Sequence, residues 1–239
     1  MDCYKLHDIP KNIPSSITNI GFMFKSCTSF NCELNTWDTS NITDMDGLLY
    51  ECRTFNKPLD AWNTSSVKNM YHMFNDCFAF NQPVNTWNTS SVVNMEGVFF
   101  GCSSFDQPLD KWDTSSVTDM SRMFARCKQF NQSIDKWNVQ NVTTMNFMFY
   151  ACEKFDQPLD SWNTVSLRTM EWMFNGCRNF NKPLNSWTIA RVENFNRAFF
   201  ACYKFNQPLN NWNLRWPNID TYKMFENCGI SKANLPLMD

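Results

Sequence analysis

Histidine is nearly absent from this 239-residue chain, which has two, and glycine is scarce, with six. So little glycine argues against phosphate-cradling loops and against Gly-dependent Ca²⁺-binding β-rolls. Two histidines, His7 and His72, cannot supply the converging ligands of repeated zinc sites. No charge of one sign dominates, since 21 Lys and Arg stand against 23 Asp and Glu. There is therefore no electrostatic footprint for nucleic acid or an anionic membrane. No apolar run approaches the roughly 18 residues of a membrane-spanning helix, so no membrane insertion is expected. The first ten residues, Met1 to Pro10, hold no apolar signal-peptide core. The expected location is cytoplasmic or within a virion, or the cell surface if a leader is missing. Nucleophile-elbow, Walker, zincin and dinucleotide-binding signatures are all absent. No enzymatic activity and no cofactor are expected.

What the chain has is repetition. Phe recurs at 30, 55, 80, 105, 130, 155, 180 and 205, and Trp at 37, 62, 87, 112, 137, 162, 187 and 212. Cys recurs at 27, 52, 77, 102, 127, 152, 177 and 202. Every step is 25 residues. A fourth column runs Met45, Met70, Met95, Met120, Met145, Met170, Phe195. A 25-residue unit cannot bury its own apolar face, so eight to nine units must stack into a solenoid. We expect an N-terminal cap over 1–16, the solenoid over 17–228 and a C-terminal tail over 229–239. Trp216-Pro217 interrupts the register near the end.

Within a unit, Val67, Met70, Met73, Phe74 and Cys77 follow the spacing of one helix face. Thr64, Ser65 and Ser66 stand where a helix cap would. The spacing predicts a short helix over about 66–77, and the Pro-bound segment 58–62 reads as a short strand. The fold class is then an α/β repeat solenoid, a leucine-rich-repeat-like stack of strand–turn–short helix units. An all-β-coil solenoid follows instead if the Val-Met segment is extended.

Repeated polar residues invite chemistry. Disulfides need Cα atoms within about 7 Å, whereas helices packed side by side stand about 10 Å apart. With no C-x₂-C pair in the ladder, buried free thiols in a reducing compartment are expected; no role is assigned to Cys3 or Cys32. Three Asn/Asp columns begin at Asn31, Asn35 and Asp38. Asn and Asp interchange freely in them, which suits backbone-bonding ladders better than cation or catalytic sites. The Met and aromatic columns read as core. Five Asn-x-Ser/Thr sequons, at Asn41, Asn63, Asn88, Asn131 and Asn141, fall inside the template and read as incidental.

A strict template builds the scaffold, so function is sought where units depart from it. On the outer face the pairs run Asp46-Gly47, Tyr71-His72, Glu96-Gly97, Ser121-Arg122, Asn146-Phe147, Glu171-Trp172, Asn196-Arg197. Phe147 and Trp172 are equivalent residues of neighbouring units, flanked in their column by Arg122 and Arg197. Aromatics beside arginine are typical interface anchors, although these rings also suit covering the grooves between units. Tyr71 and His72, and Lys111 and Lys136 on the expected sheet face, are weaker candidates.

The motif Trp-Asn/Asp-Thr-Ser-Ser-Val-x-Asn/Asp-Met-x-x-Met-Phe-x-x-Cys-x-x-Phe-Asn-Gln-Pro-Leu resembles the BspA-like leucine-rich repeat surface proteins, and within them the mycoplasma-type repeats. It covers about residues 17–228. The resemblance implies a leucine-rich-repeat-like solenoid that binds and does not catalyse, in a group where many bacterial members resemble adhesins. The signal peptide, lipobox and anchor of the surface members have no counterpart here. Heavy use of Asn, Lys and Phe hints at an AT-rich genome such as that of a protist or giant virus. The leading expectation is a protein-interaction scaffold with a protein partner of unknown identity. The alternative is a structural, virion or adhesin-like surface component whose packing is its function. Carbohydrate binding has no sequence-specific support.

Overall fold

The computed structural model describes residues 9–215 and 218–238. Trp216-Pro217, Cys3, His7 and half of the expected cap 1–16 lie outside the described residues. The chain winds as a repeat solenoid, one coil per 25-residue unit. Its coils are neither strand–helix pairs nor continuous strands. Among the described residues, the one helical element is a single 3₁₀ turn, Lys232–Asn234, in the C-terminal tail.

The segment expected to be helical is a run of overlapping turns. In the coil containing Met45, the N–H groups of Leu48, Tyr50 and Cys52 donate to the carbonyls of Met45, Gly47 and Leu49, at 3.2, 3.0 and 2.9 Å. The intervening N–H groups of Met45, Gly47, Leu49 and Glu51 donate to Asn69, Tyr71, Met73 and Asn75 of the next coil, at 3.0, 2.7, 2.9 and 2.6 Å. Asp46 N–H goes to the Asp44 carboxylate. Every donor of the run is thus satisfied without an i to i−4 bond. The third residues of alternate turns, Gly47 and Glu51, take φ of 51° and 59°, as type II turns require. This corrects the helix expected at 66–77. Turns that alternate in this way turn the same side chains inward as a helix face would. Val67, Met70, Met73, Phe74 and Cys77 are all fully buried.

The strand expected at 58–62 is also a turn, closed by Trp62 N–H on Leu59 carbonyl at 3.2 Å. Sheet character reduces to one parallel bridge per coil, through Asn19, Asp44, Asn69, Asn94, Asp119, Thr144, Thr169, Asn194 and Asp220, with one more, Asn213 to Leu237, joining the C-terminal tail. The strand–turn–helix form of the α/β expectation therefore gives way to stacked coils of turns, and no sheet face carries Lys111 and Lys136.

Three aromatic ladders fill the core. Phe55, Phe80, Phe105 and Phe130 stack at 6.0–6.1 Å between centroids. Phe74, Phe99, Phe124 and Phe149 stack at 5.6–5.8 Å. Trp62, Trp87, Trp112 and Trp137 stack at 6.1–6.4 Å. Such pairs contribute about 0.5–1.5 kcal/mol each beyond their burial.

Each corner of a coil is tied to its neighbour by a side-chain donor. The indole N–H of Trp87 donates to Leu59 carbonyl at 2.9 Å, and that of Trp112 to Val84 at 3.0 Å. The Cys77 thiol donates to Leu49 carbonyl at 2.9 Å, and Cys102 to Phe74 at 3.0 Å. The column breaks at Trp212, whose buried indole N–H has no partner among the described residues.

Bridged coils lie about 5 Å apart, so the helix-packing distance does not apply and separation alone does not keep the ladder thiols apart. Cys52, Cys77, Cys102, Cys127, Cys152, Cys177 and Cys202 are nevertheless free and buried. Burial pushes the Cys52 thiol up to about 12, and those of Cys77 and Cys102 well above the usual range. Cys27 departs from the expected free-thiol ladder, being disulfide-bonded.

The Asn/Asp columns are backbone ladders. The Oδ1 atoms of Asn56, Asn81, Asp106 and Asn131 accept the N–H of Asn81, Asp106, Asn131 and Asp156, each at 2.9 Å. Only an acceptor is needed, which is why Asn and Asp interchange. The Asp38 column closes local turns instead, with Asn63 Oδ1 accepting Ser65 N–H and Asp113 Oδ1 accepting Ser115 N–H.

Candidate functional site

The outward positions of the turn run form one face along the solenoid. One column of that face runs Phe22, Gly47, His72, Gly97, Arg122, Phe147, Trp172, Arg197 and Lys223, all with φ between 49° and 62°. A left-handed φ is costly for bulky residues, and here the bonds to both neighbouring coils impose it. The Phe22 and His72 rings lean onto the following coil. A Cβ on Gly47 would strike the Phe22 ring, and one on Gly97 the His72 ring, so these glycines give the preceding ring its seat.

Where no glycine intervenes, the side chains stack. Phe147 and Trp172 lie 5.5 Å apart with planes 16° from parallel. Arg122 covers Phe147 at 5.3 Å, and Arg197 covers Trp172 and Tyr222, both at 4.8 Å. The four candidate residues therefore form one cation–aromatic–aromatic–cation stack. Phe147 and Trp172 are half-buried, so they both cover inter-coil grooves and present surface. Phe100, Arg126 and Tyr150 join Arg122, Phe147 and Trp172 around a shallow concavity of about 310 Å³.

Of the weaker candidates, Tyr71 and His72 reach the stack indirectly. Their rings meet edge-on at 4.2 Å. His72 Nε2 lies 3.9 Å from Glu96, whose carboxylate binds Arg122 at 2.7 Å. Burial, then the Arg122 charge, lowers the His72 imidazole to about 4, so it is neutral near pH 7. Lys111 and Lys136 sit exposed on the Trp half of the coil, outside the contacts of the stack.

Sequence reasoning missed a column with twice the period. Tyr50, Phe100, Tyr150 and Phe200 recur every 50 residues, half-buried on the same face. They alternate with buried Asn75, Ala125 and Asn175. Tyr50 meets His72 edge-on at 6.2 Å, and Tyr150 meets Trp172 at 5.8 Å. The signal was an aromatic at every second unit, hidden by a search for one-unit periods.

Among the described residues, no helix is long and apolar enough to cross a membrane. No curated protein and no solved structure matches the chain. A model of the family described as "Mycoplasma protein of unknown function, DUF285" matches residues 3–96, 79–166 and 126–236, nearly the whole length. The chain belongs to that family of Mycoplasma-type repeat proteins of unknown function.

Proposed function

We propose that the chain is a non-enzymatic scaffold that engages a protein partner through the turn face of its solenoid. The carrying observation is the stack of Arg122, Phe147, Trp172 and Arg197. It concentrates rigid aromatic and guanidinium groups, the chemistry of interface anchors, on a scaffold whose apolar columns are otherwise consumed by packing. The likeness of the repeat motif to BspA-like leucine-rich repeat surface proteins supports a binding role. A cytoplasmic or virion location is part of this reading. The test is purification from the native source under conditions that preserve the Cys27 disulfide, with partners identified by mass spectrometry for the native chain and for Phe147→Ala/Trp172→Ala. The scaffold reading expects a partner lost with the double variant. A partner retained moves the interface elsewhere, to the Trp half with Lys111 and Lys136 first.

A further inference from the structure

The turn half of the solenoid is open at both ends, and the two ends carry opposite backbone groups. In the last turn run, the N–H groups of Thr221, Lys223, Phe225 and Asn227 have no acceptor among the described residues. In the first, the carbonyls of Asn19, Gly21, Met23 and Lys25 have no donor among them. These are the equivalents of the donors Met45, Gly47, Leu49 and Glu51, and of the acceptors Asn69, Tyr71, Met73 and Asn75, that join two interior coils. Both end runs keep the interior backbone, with Phe22 and Ser26 at φ of 54° and 61° and Lys223 and Asn227 at 52° and 58°. The apolar columns are unfinished as well. Ile17 and Met23 are 37% and 46% exposed, whereas their equivalents Ile42 and Leu48 are buried. With Ile13, Phe24 and Trp37 they border a cavity of about 410 Å³.

The Trp half, by contrast, is closed at both ends by segments shorter than a coil. Pro10 carbonyl accepts the Trp37 indole N–H at 2.8 Å, the place that Leu34 carbonyl takes for Trp62. At the other end, Leu237 N–H donates to Trp212 carbonyl and Leu214 N–H to Leu237 carbonyl, both at 2.9 Å. Ser231 N–H donates to Asn206 Oδ1, as Asn206 N–H does to Asn181 Oδ1. The tail therefore lies in register, in the space that the Trp half of a further coil would fill. It is lightly held there, since only Pro236 among residues 231–238 is buried.

We propose that the tail, from residue 229 onward, is a stop that keeps a second copy from adding end on end, and that a chain whose tail is displaced extends into a filament. Head-to-tail addition joins the four free donors of one copy to the four free acceptors of the next and carries the 25-residue register across the junction. It also sets residues 9–14 of the incoming copy in the space that the tail fills, so tail and second copy exclude each other. The residues that meet along the turn run are compatible. Lys25 of the incoming copy falls on Glu226, its Phe22 on Lys223 and its Phe24 on Phe225, the end of the Phe ladder. Its Asn19 falls on Asp220, a pairing already made inside the chain between Asn19 and Asp44 at 3.0 Å. No like charges coincide in this run. A contact between two unlike ends is heterologous and does not close, so growth continues until something blocks an end. A terminal cover of this kind is what keeps a stacked repeat soluble.

Sedimentation velocity and electron microscopy of the full chain, in buffer without reductant, test this. The native chain is expected to be monomeric. In Gly229→Val/Leu237→Pro the valine runs into Tyr203 carbonyl, and the proline lacks the N–H that binds Trp212 carbonyl. This variant is expected to form unbranched filaments that lengthen with concentration. Adding Met23→Glu, a change at an exposed site, buries a carboxylate in the junction. It should raise the concentration needed for assembly about tenfold or more. A synthetic peptide of residues 229–239, in excess, should shorten the filaments by taking the tail's place. Thermal unfolding verifies the fold of each variant, and Leu237→Pro alone carries the same expectations if the double variant is unfolded. Filaments of the native chain overturn the proposal. So does a folded tail variant that stays monomeric at every concentration, and so do filaments indifferent to Met23→Glu or to the peptide. Phe147→Ala/Trp172→Ala lies away from both ends and should leave assembly unchanged, so the partner-capture reading stands or falls separately.

Discussion

The two halves of each coil are built from the same device and put it to different use. On the Trp half, Asn/Asp acceptors and indole donors tie coil to coil, and the residues between them stand exposed. On the turn half, the backbone makes the ties itself, and its outward residues are half-buried against one another. Variation on the Trp half therefore changes isolated surface groups, whereas variation on the turn half changes a continuous surface. That difference places Phe147 and Trp172 in contact and leaves Lys111 and Lys136 outside it.

The comparison is tested most severely in the core. Phe124 stacks on Phe99, Phe130 and Phe149, and Phe124→Ala should cost about 3–5 kcal/mol. Trp137→Phe keeps a stacked ring and loses the bond to Leu109 carbonyl, so about 1 kcal/mol is expected. Urea unfolding followed by circular dichroism ranks the two, and equal losses would erase the distinction between the halves. An intermediate effect belongs to the polar ladder. Asn81 Oδ1 accepts both Asp106 N–H and Gln107 Nε2, so Asn81→Leu strands a backbone donor and should cost about 1–3 kcal/mol. Asn81→Asp keeps the acceptor and should cost less than about 1 kcal/mol; a larger loss would mean that the amide hydrogens matter too.

The smallest expected effect is a pH slope. The folded imidazole of His72 titrates near 4, below its unfolded value of about 6.5. Between those values the unfolded chain binds the extra proton, so stability falls as pH drops from about 6.5 towards 4. His72→Gln should flatten that part of the curve by at most one proton. An unchanged slope would assign it to the carboxylates instead.

Much of this was legible in the sequence, and the boundary of legibility has a physical cause. The 25-residue columns revealed the register, and register alone predicted that Phe147 touches Trp172. They also revealed which residues are core, since Val67, Met70, Met73, Phe74 and Cys77 are buried as expected. The backbone path was not legible, because spacings of three and four residues suit both a helix face and overlapping turns. Glycine at every left-handed position would have separated the two, but only Gly47 and Gly97 of that column are glycine, and Arg122, Phe147, Trp172 and Arg197 are among the others. Their φ values are imposed by bonds to neighbouring coils, a non-local cause that no local signal carries. The thiol ladder was read as apolar filling, whereas each free thiol from Cys52 to Cys202 also donates to a carbonyl of the preceding coil.

The turn run has one more consequence. In each coil four peptide groups point the same way, such as those joining Asp44 to Met45, Asp46 to Gly47, Leu48 to Leu49 and Tyr50 to Glu51. Their carbonyls face the preceding coil and their N–H groups the following one. Each peptide carries a dipole of about 3.5 D, so the aligned sets add along the stack as they do along an α-helix, with the opposite sense. The positive pole lies toward higher residue numbers. The solenoid is thus a long electret, with its aligned backbone dipoles carried by the turn half.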